Sequence, residues 1–200
     1  DHAAPQRRGG IRAGGIGLTP QGRAELLASH WLDTQPDHKA VLIATAQPWD
    51  DEMRSRIARH QADRAQRVPG MQTAEEPVEL AATITRMSQP DTLIVVDCLT
   101  LWLTNLLMPA VCDDGQNTFA AQGNAAPADA PIQALLRAIE NAPGPLVLVG
   151  NEIGMGVIPM GAQVRAFVDT LGRLNQDVAR TCARVTLMAA GLPLPLKGHS

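Results

Sequence analysis

The chain has 200 residues, of which 45% are apolar and 18% charged, and its formal net charge is −3. This length suits one domain with one sizeable core, and the charge excludes a global basic field that would attract DNA or an anionic membrane. Two Phe, three Trp and no Tyr argue against a stacking platform for single-stranded nucleic acid. Three scattered cysteines indicate neither a disulfide framework nor a zinc site, so we expect a cytoplasmic protein. No apolar run is long enough to predict a membrane span.

Helix and strand patterns alternate along most of the chain. Residues 1–22 are rich in Gly, Arg and Pro and are predicted to be irregular, whereas 23–200 are predicted to form a single α/β nucleotide-binding domain. Residues 109–131 are rich in Ala, Pro, Gly, Asn and Asp, which is typical of a flexible insertion. Helices are predicted at 23–32, 49–65, 77–87, 131–142 and 161–183, and strands at 39–46, 145–152 and 184–197. The run 91–108 is predicted to begin as a strand and continue as a helix.

Several predicted strands are continuous apolar runs, which are typical of a mostly parallel sheet with helices on both faces. In such sheets, ligands bind at the carboxyl ends of the strands. Small or polar residues follow three of the strands, at Ala44–Ala46, at Asp97 and from Asn151 onward. The sequence therefore predicts a functional site at this edge of the sheet.

Two of these strand ends have alternative interpretations. Asp97 directly follows the apolar run LIVV. In many nucleotide-binding proteins, an acid that follows an apolar strand in this way holds Mg²⁺. An aspartate at this position is also a common helix cap, and the pattern alone leaves both open. The glycines of GNEIGMGVIP (150–159) permit close approach to a ligand, but they equally suit an ordinary loop.

His60 lies among several arginines in the predicted helix 49–65. A histidine on a solvated helix face is the simpler interpretation. The alternative is a nucleophile, because an imidazole can attack phosphorus and form a phosphoramidate. Arg59 and Arg64 would then neutralise phosphate charge, and residue 64 lies one helical turn beyond residue 60 on the same face.

The chain resembles a known family in six strings that occur in the family's order: IATAQPWDDEMRSRIARHQADR, TAEEP, DCLTLWLTNLL, GNEIGMGVIP, RAFVDTLGRLNQDVA and GLPLPLK. This is the bifunctional adenosylcobinamide kinase/adenosylcobinamide-phosphate guanylyltransferase family of cobalamin biosynthesis. The resemblance implies a P-loop NTPase-like (RecA-like) fold, GTP and ATP as substrates, and Mg²⁺. It also implies a homo-oligomer, a trimer in the family, for which the apolar face of LTLWLTNLLM is a candidate interface.

The resemblance also implies two reactions and a set of site residues. In one reaction adenosylcobinamide is phosphorylated. In the other His60 takes GMP from GTP and passes it to adenosylcobinamide phosphate, which gives adenosylcobinamide-GDP. The implied nucleotide contacts are Ala44, Thr45, Ala46, Gln61, Ala62, Asp63, Arg64, Glu75 and Asp97. Asp97, where the family usually has Glu, is also the implied Mg²⁺ ligand.

The family's phosphate-binding loop, G-G-x-R-S-G-K-[ST], has no counterpart here. The string GGIRAGGI (9–16) lacks its Lys and its hydroxyl residue. A second register places Thr19, Pro20 and Gln21 at the G-K-[ST] positions, where Pro20 also removes an amide donor. Two explanations stay open: an N-terminal segment that is altered or truncated, so that the first strand is missing, or a divergent member that has lost triphosphate binding. Both predict weak kinase activity, and they allow a non-catalytic relative, either a pseudoenzyme or an oligomer partner.

Overall fold

The computed structural model describes residues 19–48, 51–108, 128–156 and 161–198, without the side chains of Met53 and Arg56. The helices in these ranges are α1 (Pro20–Thr34), α2 (Asp51–Arg67), α3 (Leu80–Met87), α4 (Leu99–Leu107), α5 (Asp129–Glu140) and α6 (Ala162–Thr181). The strands are β1 (Lys39–Ala44), β2 (Gln72–Glu75), β3 (Thr92–Asp97), β4 (Leu146–Val149), β5 (Val185–Ala189) and β6 (Leu192–Lys197). Most of the predicted N-terminal segment and of the predicted insertion lies outside the described residues.

Four parallel strands form the main sheet in the order β2-β1-β3-β4, which confirms the predicted parallel sheet. Ala44 is in register with both Glu75 and Asp97, and Asp97 is in register with Val149. The four strands therefore end in one row. This row is the edge at which the sequence predicts a site.

Helices cover both faces of this sheet, as predicted. Along β3, Ile94 and Val96 join a core cluster with side chains of α3, α4, α5 and α6, whereas Leu93 and Val95 join a second cluster with α1. Successive strand residues point to opposite faces, so this division follows directly from the strand geometry. Each fully buried aliphatic side chain contributes roughly 1.5–3 kcal/mol. The architecture is α/β and consistent with a P-loop NTPase-like fold.

The apolar face of α4 is used within the chain. Leu99, Trp102 and Leu103 are at most 2% exposed and belong to the larger core cluster. The Trp102 indole also donates a hydrogen bond to the Val78 carbonyl over 2.8 Å. Leu101, Leu106 and Leu107 are half-buried, so the candidate interface of the sequence analysis packs partly into the protein's own core.

The C-terminal segment 184–197 forms two strands, and the prediction of one strand is wrong. Strands β5 and β6 pair antiparallel across a turn at Ala190 and Gly191, whose φ angles are 52° and 76°. Positive φ at both positions is the pattern of a type I′ hairpin turn, and glycine adopts it readily whereas alanine seldom does. Because alanine is uncommon at such a position, the sequence did not indicate a turn here. The hairpin pairs with no strand of the main sheet in the described part of the chain.

Helix α1 begins at Pro20, so the predicted irregular segment is wrong in its last three residues. The Thr19 hydroxyl accepts a hydrogen bond from the Gly22 amide over 3.0 Å and caps the helix. Proline suits the first helical position because its φ angle is already helical. Helix α5 similarly takes in the end of the predicted insertion. No helix among the described residues is long and apolar enough to cross a membrane.

Candidate active site

Thr45 fixes the ends of β1 and β3 against each other. Its hydroxyl donates to the Cys98 carbonyl over 2.8 Å and accepts from the Cys98 amide over 2.9 Å. The Asn105 side chain donates to the Thr45 carbonyl over 2.8 Å and to the Pro77 carbonyl over 3.0 Å. Thr45 is completely buried, so its hydroxyl serves the protein interior and holds the strand ends rigid.

A cavity of about 330 Å³ opens beside this row, between the end of β1 and helix α2. Four of the predicted nucleotide contacts line it, namely Ala44, Ala46, Gln61 and Glu75. The Gln61 amide donates a hydrogen bond to the Glu75 carboxylate over 3.1 Å, which ties α2 to the end of β2. The remaining lining residues are Pro48, Arg54, Ile57 and Ala58. A mostly apolar wall with a few polar groups is typical of a small-molecule site.

The other five predicted contacts do not line this cavity; Thr45, Arg64 and Asp97 lie at the strand ends beside it, and the remaining two lie on the surface. Ala62 and Asp63 are exposed on α2 and do not line it. The Asp63 carboxylate lies 3.7 Å from Arg67 Nη2, one helical turn away on the surface. The sequence segment 61–64 therefore divides, with Gln61 at the cavity and Arg64 in the protein interior.

Arg64 and Asp97 come together at the row of strand ends. Arg64 is only 8% exposed, and its Nη2 atom lies 3.7 Å from Asp97 Oδ2. The His60 side chain is exposed on α2, one turn before Arg64, and it acts electrostatically on the Asp97 carboxylate. The ring is thus open to solvent, as a nucleophile that must meet an incoming substrate has to be.

The Arg64 guanidinium is shared between two carboxylates. Besides Asp97, its Nε atom lies 3.5 Å from Glu25 Oε1 of helix α1. Glu25 Oε2 accepts a 2.8 Å hydrogen bond from Arg67 Nη1. The Arg64 Nε atom is buried and makes no hydrogen bond, so its contact with Glu25 is ionic only.

Burial raises the pKa of the Asp97 carboxyl above its ordinary value of 3.8. The charge of Arg64, hydrogen bonding by the Gln21 side chain and the charge of His60 each lower it. Among the described residues, no group of three His, Cys, Asp or Glu side chains could hold a metal ion unaided. Mg²⁺ in nucleotide sites commonly takes one or two carboxylates, with phosphate oxygens and water completing its shell. A single strand-end carboxylate at Asp97 fits that requirement.

The N-terminus of α1 reaches the same edge of the sheet and is capped by its own side chain. Gln21 of its first turn interacts with the Asp97 carboxylate and so brings this end of the helix to the strand ends. Open helix amides are what bind phosphate at such a position. Here the Gly22 amide is donated to Thr19, and Pro20 has no amide hydrogen to offer.

The segment after β4 is anchored at the same edge. The Asn151 amide donates to Thr100 Oγ1 over 3.0 Å, and the Asn175 side chain donates to the Asn151 carbonyl over 3.1 Å. The Gly154 amide donates to the Glu152 carboxylate over 2.9 Å. Residues 157–160 of the motif lie outside the described residues.

Sequence reasoning did not single out Glu25 or Asn105, which are 7% and 6% exposed. Glu25 lies beside Ala24 on the buried face of α1. The sequence does place this glutamate beside the alanines that form the buried face of α1. Since buried acids are rare unless they are paired, that position could have predicted a cationic partner. Asn105 follows a long apolar run and gave no comparable signal.

Comparison with known proteins places this geometry in a family. The family model described as cobinamide kinase / cobinamide phosphate guanyltransferase matches residues 19–196. The bifunctional adenosylcobalamin biosynthesis protein CobP of Pseudomonas aeruginosa is 47% identical over 157 residues, which are 78% of this chain and 82% of that protein. The bifunctional adenosylcobalamin biosynthesis protein CobU of Salmonella typhimurium is 37% identical over 161 residues, 80% of this chain and 86% of that protein. The CobU protein of Escherichia coli is 33% identical over 159 residues, with the same two coverages. The chain belongs to the cobinamide kinase / cobinamide phosphate guanyltransferase family.

Proposed function

We propose that this protein transfers GMP from GTP to adenosylcobinamide phosphate through a guanylyl group carried on His60. The observation that carries the proposal is the exposed position of His60 on α2, one turn before Arg64, whose guanidinium pairs with the Asp97 carboxylate, while the neighbouring Gln61 lines the cavity at the strand ends. The relatives are named as bifunctional adenosylcobalamin biosynthesis proteins, in accord with this chemistry.

The proposed transfer has two displacements at the same phosphorus. A ring nitrogen of His60 attacks the α-phosphorus of GTP, a P–N bond forms, the bond to the bridging oxygen breaks, and pyrophosphate leaves. A phosphate oxygen of adenosylcobinamide phosphate then attacks that phosphorus, which breaks the P–N bond and gives adenosylcobinamide-GDP. The exposed position of His60 suits both steps, because a donor and then an acceptor must reach the ring.

The surrounding residues orient the nucleotide and neutralise the charge of its phosphates. Gln61 and Glu75, hydrogen-bonded to each other at the cavity, offer a polar edge to the nucleotide, with Ala44 and Ala46 leaving room beside them. Arg64 supplies buried positive charge next to the reacting phosphates. Mg²⁺, when held by Asp97, would neutralise charge on the triphosphate.

The second proposed activity is phosphorylation of the adenosylcobinamide hydroxyl by ATP or GTP. It needs a triphosphate held at the N-terminus of α1, where Thr19 caps the helix and Pro20 removes a donor. We therefore propose weak kinase activity for this chain. The same closed terminus favours one alternative, a non-catalytic relative that has lost triphosphate binding and serves as a pseudoenzyme or an oligomer partner. In either case we propose that the protein is cytoplasmic and assembles as a homo-oligomer, namely a trimer.

Incubation with α-labelled GTP and Mg²⁺ tests the proposal. We expect protein-bound label that is stable to alkali and lost in acid, as a phosphoramidate is. The label should vanish in His60→Ala and persist in His30→Ala, a matched control because His30 is an exposed histidine of α1. Absence of label in the unaltered protein at millimolar GTP would support the non-catalytic alternative.

A further inference from the structure

Helix α2 is held in place by very little apolar packing. Of its described side chains, Arg64 alone is buried. Among its described side chains, none belongs to either core cluster and Ile57 is only half-buried; the nearest contributor is Val68, just beyond the helix. A helix in a globular protein is ordinarily fixed by a buried apolar stripe. Polar contacts therefore carry much of the positioning of α2, and of His60 on it.

Glu25 supplies the contact that connects α2 to α1. One of its carboxylate oxygens lies 3.5 Å from Arg64 Nε, and the other accepts the 2.8 Å hydrogen bond from Arg67. These two arginines are three residues apart on one face of α2. Two contacts one turn apart restrict both the sliding of a helix and its rotation about its axis. The Glu25 side chain is only 9% exposed, so water screens these contacts weakly.

We propose that Glu25 is a positioning residue for the GMP transfer, because it docks the helix that carries His60. Glu25 touches neither the cavity nor His60 in the described contacts; it acts through Arg64 and Arg67. With Glu25 in place, Arg64 lies between Glu25 and Asp97, and this fixes the rotation of the helix that carries His60 one turn before Arg64. Without the Glu25 charge, Arg64 keeps Asp97 as its partner, Arg67 keeps Asp63 on the surface, and α2 can rotate or slide. The proposal rests on the proposed function only for its kinetic consequence.

Hydrogen exchange of the full chain tests the docking without any need for activity. In Glu25→Gln, which keeps the side-chain volume, amides of α2 should exchange at least about tenfold faster, while β3 and α6 keep their protection. Arg67→Gln removes one of the two contacts with Glu25, at a half-exposed side chain, and should loosen α2 less. It is the substitute variant if Glu25→Gln folds poorly. Asp177→Asn is the matched control, since it breaks an ion pair with Arg180 on α6 and should leave α2 unchanged.

Kinetics then separate positioning from stability. The kcat of GMP transfer should fall about 100-fold in Glu25→Gln, more than KM for GTP changes, because in-line attack tolerates little displacement. Glu25→Asp, which keeps the charge with a shorter reach, should recover part of the loss. Unchanged exchange in α2, equal loosening of all elements, or an unchanged kcat would each overturn the proposal. If the unaltered protein transfers no GMP, the proposed function fails, and the exchange data still decide whether Glu25 docks α2.

Discussion

Two helices reach the row of strand ends, and they differ in what they offer a nucleotide. Helix α2 brings a solvent-open histidine, a buried arginine and a wall of the cavity to the edge. Helix α1 arrives with its N-terminus beside Asp97 through Gln21, but Thr19 and Pro20 close that end. The first set of groups suits the proposed GMP transfer, whereas the second uses for its own cap an amide by which a helix N-terminus can bind phosphate.

The difference shows that position and chemistry are separable in this fold. The core sets where α1 begins, since Ala24 and Ala28 pack beneath the sheet. The residues of its first turn can change without disturbing that packing, because a capping side chain can satisfy the terminal amides in the absence of a bound phosphate. The family fold can therefore persist while the residues at this helix end vary.

Replacement of His60 by Ala should have the largest effect and tests the α2 side of the comparison. GMP transfer should fall by at least about 1000-fold, because the group that forms the covalent bond is gone. The melting temperature should stay close to that of the unaltered protein, since the side chain is exposed. The assay follows adenosylcobinamide-GDP by chromatography. Transfer that survives this change would mean that another group carries GMP.

Arg64→Met should destabilise the protein by about 3–5 kcal/mol, because it leaves the carboxylates of Glu25 and Asp97 without their shared cation. Urea unfolding measures this loss. Arg180→Met is the control, since its ion pair with Asp177 is on the surface and should be worth at most about 1 kcal/mol. Equal effects of the two substitutions would show that the cluster does not stabilise the edge of the sheet.

Opening the N-terminus of α1 should sharpen the comparison from the other side. The combined change Thr19→Gly, Pro20→Lys and Gln21→Ser restores an amide, frees the Gly22 amide and adds a cation. We expect GTP to bind about 10- to 100-fold more tightly, with a parallel rise in kinase rate. Calorimetry with GTP and a phosphorylation assay measure the two quantities. Unchanged affinity would mean that the closure of this helix end is not what limits triphosphate binding.

Asp97→Asn should have the smallest effect, on the pH dependence of stability. Burial raises the pKa of Asp97 in the folded protein above its ordinary value of 3.8, so its ionisation opposes folding. This penalty is absent below pH 3.8 and grows as the pH rises through the folded pKa. The free energy of unfolding of Asp97→Asn, relative to the unaltered protein, should therefore increase from acid to neutral pH. A difference that shrinks with rising pH would contradict the buried, ionisable carboxyl.

The sequence predicted those features that follow from local patterns. The apolar runs ending at Ala44 and Asp97 indicated strands buried on both faces, and parallel pairing brought their ends together as expected. The spacing of His60 and Arg64 indicated one helix face. Strand β2 escaped prediction because the residues of Gln72–Glu75 lack a strand pattern; they pair as an edge strand beside β1.

The features that the sequence left hidden depend on contacts between distant segments. The bridge from Glu25 to Arg64 and Arg67 joins two helices, and no local period indicates such a pairing. The Thr45 hydroxyl was expected near the nucleotide and instead binds the Cys98 backbone. The hairpin turn needs a positive φ at Ala190, which is uncommon for alanine.

Mass spectrometry of the intact protein after incubation with GTP and Mg²⁺, followed by fragmentation under alkaline conditions, measures the covalent step directly. The account predicts one added GMP per chain, located on the imidazole of His60 and released when adenosylcobinamide phosphate is supplied. A GMP adduct on any other residue, or an unmodified protein at millimolar GTP, would contradict it.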